Sequence, residues 1–193
     1  MKKVLIALVA FAASSVVLAG GHASASASPN YTYLELGYLK GLSIGGNDGD
    51  GFAISGSYAI DDKWHVAYTN EDWDEAIWLL DTSDIDVDTF TLGVSPALNA
   101  STDLVFEVSY VDGDIDGIDF DGFEVSTGIR SMIASNVELN AAIASSNVDI
   151  DGFDIESVAL SVGAQYSCDN GINVGVDHDV SNGATNFGLR YNF

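Results

Sequence analysis

The sequence predicts an all-β, transmembrane, antiparallel up-and-down barrel with periplasmic N- and C-termini, on three observations. Segments of about ten residues alternate between one apolar and one small or polar face. They are separated by turn signals and end on an aromatic residue at the last position, Phe193. An export signal precedes them. "MKKVLIALVAFAASSVVLA" has two lysines, an uncharged apolar run and then small residues, with A-x-A sites at Ala23–Ala25 and Ala25–Ala27. Residues 1–27 are therefore read as a cleaved signal peptide and 28–193 as one outer-membrane barrel domain.

Taken in order, the expected strands are 30–40, 51–60, 64–70, 87–95, 102–111, 122–131, 136–146, 156–166, 171–179 and 184–193: ten, with eight as the alternative count. In "GFAISGSYAI", Phe52, Ile54, Tyr58 and Ile60 share one face while Ala53, Ser55, Ser57 and Ala59 share the other. In "DLVFEVSYV", Leu104, Phe106, Val108 and Tyr110 oppose Glu107 and Ser109. Val137, Leu139, Ala141 and Ile143 oppose Glu138 and Asn140, and Val158, Leu160, Val162 and Tyr166 oppose Ser157, Ser161 and Gln165. Pro29 and Pro96 lie outside the strands, as the loss of a ladder donor requires. Short connections ("DDK", "PALNAS", "MIAS", "SCDNG") alternate with mostly longer acidic ones.

The faces distinguish a membrane barrel from a soluble one. The second face is built of Gly, Ala, Ser and Thr with scattered charges, which suits a narrow lumen. The aromatics gather at two levels: Tyr38, Phe52, Tyr68, Tyr110, Phe123 and Phe187 near the long-loop ends, and Tyr58, Trp64, Tyr166, Tyr191 and Phe193 near the short-turn ends. Closure pairs the last strand with the first. Leu189, Tyr191 and Phe193 match the carboxy-terminal assembly signal read by the barrel-assembly machinery.

Composition excludes other classes. Without Lys2 and Lys3, four basic residues remain (Lys40, Lys63, Arg130, Arg190) against 29 acidic ones. Such a surface repels nucleic acid. At 47% hydrophobic residues and a mean hydropathy of +0.19, the chain is also too apolar for disorder. The single cysteine, Cys168, rules out a disulfide framework and reads as a tolerated free thiol in a short turn.

The segments "NYTYLELGYLK", "DGDGFAISGSYAIDDKWHVAY", "STDLVFEVSYVDGD" and "IDFDGFEVSTGIRS" resemble the small outer-membrane barrels of the Ax-twenty-one type, the quorum-factor or activator-of-immunity proteins. More broadly they are similar to the OmpA/OmpX-like superfamily. The closer likeness covers about residues 30–143. It implies an outer-membrane location in a Gram-negative cell and no settled activity, and it supplies no catalytic motif to carry over.

Three constellations bear on function. Glu35, Glu107, Glu124, Arg130, Glu138 and Arg190 fall on polar faces as lumen charges, and closure makes Glu35 and Arg190 neighbours. "DGDIDG" and "NVDIDG" both open like a calcium loop, with Asp112, Asp114 and Asp116 in one and Asp149 and Asp151 in the other. The twelfth positions are Phe123 and Val158 rather than Glu, so the plain reading is an acidic strand extension, loosely bridged by calcium or other divalent cations to lipopolysaccharide. His178 with Asp177, Asp179 and Ser181 imitates a catalytic rim, but one His among acids in a loop reads as a solvated residue. His65 faces the lumen.

The expected function is a structural or surface-interaction barrel that displays acidic loops, without cofactor or enzymatic activity. Its partners are outer-membrane lipid and lipopolysaccharide, together with an extracellular partner of unknown identity. The insert "EAIWLL" (75–80) needs somewhere to bury its apolar residues. The alternative is a narrow, cation-preferring, porin-like channel, and a lipid-modifying enzyme ranks below both.

Overall fold

The computed structural model describes residues 29–44, 47–75, 83–115, 117–168 and 170–193. The expected signal peptide, residues 76–80 of the apolar insert and Asp116 lie outside the described residues. The described strands are β1 (Tyr33–Ile44), β2 (Asn47–Ala59), β3 (Trp64–Glu75), β4 (Ser83–Val94), β5 (Ala97–Asn99), β6 (Thr102–Ile115), β7 (Ile118–Ala134), β8 (Val137–Ile150), β9 (Phe153–Ser167), β10 (Ile172–Asp179) and β11 (Thr185–Asn192). All pairings are antiparallel. β4 meets β6, and β1 meets β11, so ten strands form a closed barrel. β5 is a three-residue flap on the edge of β6, within the connection expected to be a plain turn.

The inward row that starts at Asn173 and Arg190 runs through Glu35 and Thr69 to Val111, Val148 and Ile155. It ends on β9 at Ile155, yet the β9 residue that faces Asn173 is Ser167, a stagger of 12 residues (167 − 155). With a rise of about 3.3 Å per residue and strands about 4.8 Å apart, that stagger tilts ten strands by about 40°, the usual value for a barrel.

The strands run further than expected at one end. β7 covers 17 residues where 122–131 was expected, and β9 begins at Phe153. The "longer acidic loops" between β6 and β7 and between β8 and β9 are strand extensions closed by tight turns. Gly117 and Gly152 take left-handed φ values of 81°, and their amides donate to Asp114 Oδ1 at 2.8 Å and Asp149 Oδ1 at 2.9 Å. At the other end, Asp61 Oδ1 accepts from the amides of Lys63 (2.8 Å) and Trp64 (2.7 Å). Those backbone donors hold its carboxyl below the usual aspartate range.

Both wall faces change character along the barrel axis, at the same level. On β6 the outward residues are Phe106, Val108 and Tyr110, then Asp112 and Asp114; the inward ones are Glu107 and Ser109, then Val111 and Ile115. On β7, Val125 and Phe123 give way outward to Asp121 and Asp119 while Ser126 and Glu124 give way inward to Phe120. β3 and β4 repeat the change, with Trp73, Ile85 and Val87 inside. The lower wall is therefore apolar outside and polar inside. The upper wall is acidic outside, and its interior is a packed apolar cluster that includes Leu39, Trp73, Ile85, Val111, Phe120, Ile150 and Ile155. The sequence reading expected a small or polar inner face throughout, which holds only for the lower part.

Two substitutions test the two zones. Val108→Arg should cost about 2–4 kcal/mol and impair insertion into lipid, while Ser109→Arg should be milder. Phe120→Ala, at a side chain 1% exposed, should cost about 3–5 kcal/mol in urea unfolding yet leave insertion intact.

Candidate functional site: a layered lumen and an acidic collar

In the lower lumen, β1 and β11 set Glu35 opposite Arg190, and Arg190 Nε donates to Glu35 Oε2 at 2.6 Å. On β7 and β8, Arg130 Nε donates to Glu138 Oε1 at 2.8 Å. Both pairs are almost wholly buried. Such pairs fix register more than they add stability, because each ion gives up water. Each guanidinium also lies over a tyrosine ring, Arg190 on Tyr33 at 4.0 Å and Arg130 on Tyr31 at 4.4 Å.

A third contact spans two strands. His65 Nε2 lies 3.1 Å from Glu107 Oε1, across Gly93, where a Cβ would sit only 2.1 Å from His65 Nε2. Glycine is needed there so that the imidazole can cross the strand. Glu107 Oε2 also accepts from Ser126 Oγ at 3.1 Å, and Ser95 Oγ lies 3.4 Å from His65 Nδ1. The order Ser95–His65–Glu107 resembles a hydrolytic relay. All three side chains are buried, and the Tyr31 ring is stacked on His65 at 4.7 Å.

Tyr31 belongs to the segment that precedes β1. That segment is latched across the lower mouth: Ser57 Oγ donates to Tyr31 O (2.9 Å), the Ala59 amide to Thr32 Oγ1 (3.1 Å) and the Phe193 amide to Thr32 O (3.2 Å). Tyr31 OH donates to Asp103 Oδ2 at 3.2 Å. The lumen is thus stoppered below by an aromatic ring and sealed above by the apolar cluster.

All six lumen charges expected from the sequence point inward, and the structure brings them together in the lower barrel, with Glu124 just beneath the apolar cluster. Leu189, Tyr191 and Phe193 lie on the outer face of the closing strand and are about half or more exposed. His178 is separated from its supposed partners by alternation. It bonds Thr185 Oγ1 (3.1 Å), while Asp177 turns inward to accept from Asn140 Nδ2 (3.0 Å) and Asp179 caps Ser181 and Asn182. Cys168 is a free, partly buried thiol. Sequence reasoning missed Tyr31, Ser95, Glu71 and Trp73. The Trp73 indole donates to Glu71 Oε2 at 3.1 Å and ties the two layers together.

Outside, aspartates face aspartates on neighbouring strands. One row runs Asp88, Asp112, Asp121, Asp149, Asp154 across five strands, and another runs Asp72, Asp86, Asp114, Asp119. Like charges directly opposite oppose pairing, so the collar is held by the apolar cluster behind it. Of the five residues expected as calcium ligands, Asp112 stands in the first row and Asp114 in the second. Asp149 belongs to the first row and caps its turn, and Asp151 sits in that turn with a φ of 50°. Among the described residues no group of three or more His, Cys, Asp or Glu side chains could hold a metal ion. Below the collar, Tyr68 OH donates to Asp88 Oδ1 (2.6 Å) and Tyr38 OH to Asp50 Oδ2 (2.9 Å), with the rings in the apolar belt.

Glu35→Gln should destabilise the folded barrel by about 3–5 kcal/mol, because Arg190 would remain charged and buried. The Glu35→Gln/Arg190→Met double variant should recover much of that loss in urea titrations read by heat-modifiable gel mobility.

No family model matches the chain, and no curated protein matches it. Among solved structures it is similar to the KdgM porin in complex with disordered oligogalacturonate, at 9% identity and a TM-score of 0.45, covering 83% of this chain and 99% of that one. It is also similar to the Pseudomonas putida toluene transporter TodX (12% identity, TM-score 0.40, 89% of this chain and 70% of that one). The translocator domain of the autotransporter NalP from Neisseria meningitidis is similar at 11% identity and a TM-score of 0.40, with 84% and 88% covered.

Proposed function

We propose that the protein is an integral outer-membrane barrel, exported by residues 1–27, with both termini in the periplasm, which acts through its acidic collar rather than by conducting solutes or by catalysis. The observation that carries this reading is the coincident change of both wall faces. An apolar outer belt bounded by aromatics suits lipid, and an acidic exterior around an apolar interior suits water. The level where they meet is the membrane surface, and above it the bore is filled by side chains. The Ser95–His65–Glu107 relay is closed off by Tyr31, stacked on His65, so it orders the lumen without meeting a substrate.

The collar stands beside lipopolysaccharide phosphates, and two anionic surfaces adjoin only through cations. Mg²⁺ and Ca²⁺ serve alike here, because the aspartates form rows instead of a closed coordination shell.

A second reading is a cation-preferring channel, favoured by one observation: inward carboxylates (Glu35, Glu71, Asp103, Glu107, Glu124, Glu138) outnumber Arg130 and Arg190. Planar-bilayer recording separates the two. The intact protein should show no steady conductance, and a Trp73→Ala/Phe120→Ala variant should show cation-selective openings. Steady, cation-selective current through the unaltered barrel would establish the channel and overturn the closed-barrel reading. In the same preparation, Asp112→Asn/Asp121→Asn/Asp149→Asn should weaken association with lipopolysaccharide vesicles equally in Mg²⁺ and Ca²⁺.

A further inference from the structure

On the outside of the wall, β3, β4 and β6–β9 carry a furrow of about 720 Å³ within the apolar belt. It exists because two outward positions are small where their neighbours are large. Leu92, Val108, Val125, Ser145 and Val158 stand in one cross-strand row, and Val94, Phe106, Thr127, Ile143 and Leu160 in the row below. Ser145 on β8 and Thr127 on β7 are diagonal neighbours, so the two gaps join. Both residues line the furrow, and Trp64, Phe106, Val125, Ile143 and Val158 wall it.

Both hydroxyl-bearing side chains face outward, and among the described residues neither has a hydrogen-bond partner. Ser131, also outward on β7, differs: its Oγ is paired with Thr102 Oγ1 at 2.9 Å. A hydroxyl without a partner is costly in apolar surroundings. Two of them in one furrow therefore point to an occupant with a polar group of its own. The furrow also has an entrance. The outward row above it runs through Tyr68, Phe90, Tyr110 and Phe123, and then breaks to Asn147. Asn147, Ser145 and Thr127 thus form a polar descent from the acidic rim into the belt. Ser145 stands about 13 Å along β8 from Asp149, at the usual rise of a strand.

These surroundings select the occupant. A second copy of the barrel would bring its own acidic row against Asp112, Asp121, Asp149 and Asp154, which top the same four strands, and like charges oppose that contact. A plain acyl chain would fill the apolar walls and leave both hydroxyls unpaired. A chain with a hydroxyl near its head matches walls and floor together, because a hydroxyl both donates and accepts. We propose that the furrow is a binding site for the hydroxylated acyl chain of an outer-leaflet lipid, whose hydroxyl bonds Ser145 and Thr127. Such a site requires that the apolar belt meet lipid, as proposed above, and it adds selection among lipid chains to the role of the collar.

The test uses the full chain with Trp78→Phe, refolded into vesicles of phosphatidylcholine with brominated acyl chains, which quench Trp64 on contact. Trp73 is enclosed in the upper interior and gives a constant background. Methyl 3-hydroxytetradecanoate and methyl tetradecanoate are titrated in as neutral competitors. The hydroxy ester should relieve quenching saturably at a mole fraction about three- to tenfold lower than the plain ester, the worth of one hydrogen bond. Thr127→Val/Ser145→Ala keeps the shape and should abolish that difference. Ser145→Leu fills the furrow and should abolish relief by either ester, while Ile54→Val, outward on β2, should change nothing. Equal relief by both esters, a difference that survives the double variant, or quenching that neither ester relieves would overturn the site and leave the lipid belt standing. Relief on raising the protein-to-lipid ratio alone would overturn it in favour of a second copy. An unquenched Trp64 would remove the lipid belt and the site with it.

Discussion

The structure depends on a single constraint: the strands are longer than the apolar belt they carry, and a strand cannot rotate its faces as it leaves that belt. Side chains alternate with a period of two along each strand, so the face that is outward and apolar lower down is still outward where the wall turns acidic higher up. The chain changes residue chemistry on both faces at once and does not shift register. β6 shows this in one run, where Val108 and Tyr110 outside become Asp112 and Asp114 while Glu107 and Ser109 inside become Val111 and Ile115. The upper barrel is then built like a soluble one, with its own apolar core, and the lower barrel like a membrane one.

The acidic collar follows from the same requirement. Five aspartates in one cross-strand row repel each other, and alone they would separate the hairpins. The hairpins stay paired because each Asp of that row is flanked by an Ile, Val or Phe that faces in. Burial of a large apolar side chain stabilises by about 1.5–3 kcal/mol, more than an exposed like-charge contact costs. The two "DxDG" turns add their own caps through Asp114 and Asp149. A sequence pattern that resembles a metal loop is thus accounted for by strand continuation and turn capping.

Much of the lower barrel was legible. Ten alternating segments, closure by the last strand and the Glu35–Arg190 neighbourhood all follow from period-two patterning and the need to pair every edge. In the upper barrel the two "DxDG" stretches were legible as acidic strand extensions, but the strand bounds were set short because acids at every second position raise local polarity. The alternation in "SDIDVD", "DIDGIDFDG" and "NVDIDGFDI" is nevertheless the same strand signal with its faces exchanged. The lumen's cross-strand contacts were hidden for a different reason. His65 reaches Glu107 past an intervening strand only because Gly93 has no side chain, and Tyr31 enters the bore from outside the strand set. Neither contact lies within one alternating segment, so each depends on stagger and closure together.

That dependence bears on how the lumen is organised. With a stagger of 12 over ten strands, a single register row climbs from the polar layer at Asn173 and Arg190 to the apolar layer at Val148 and Ile155. Neighbouring inward residues on adjacent strands therefore lie at different heights, and polar groups at one height come from positions spread along the chain. Arg130, Tyr33 and Asn173 converge in this way, although nothing in their local sequence sets them apart from other inward residues. The charged layer is also confined to the depth where the outer wall is apolar. Its ions are shielded there from both aqueous phases, by Tyr31 below and the apolar cluster above, and that enclosure makes their pairing obligatory.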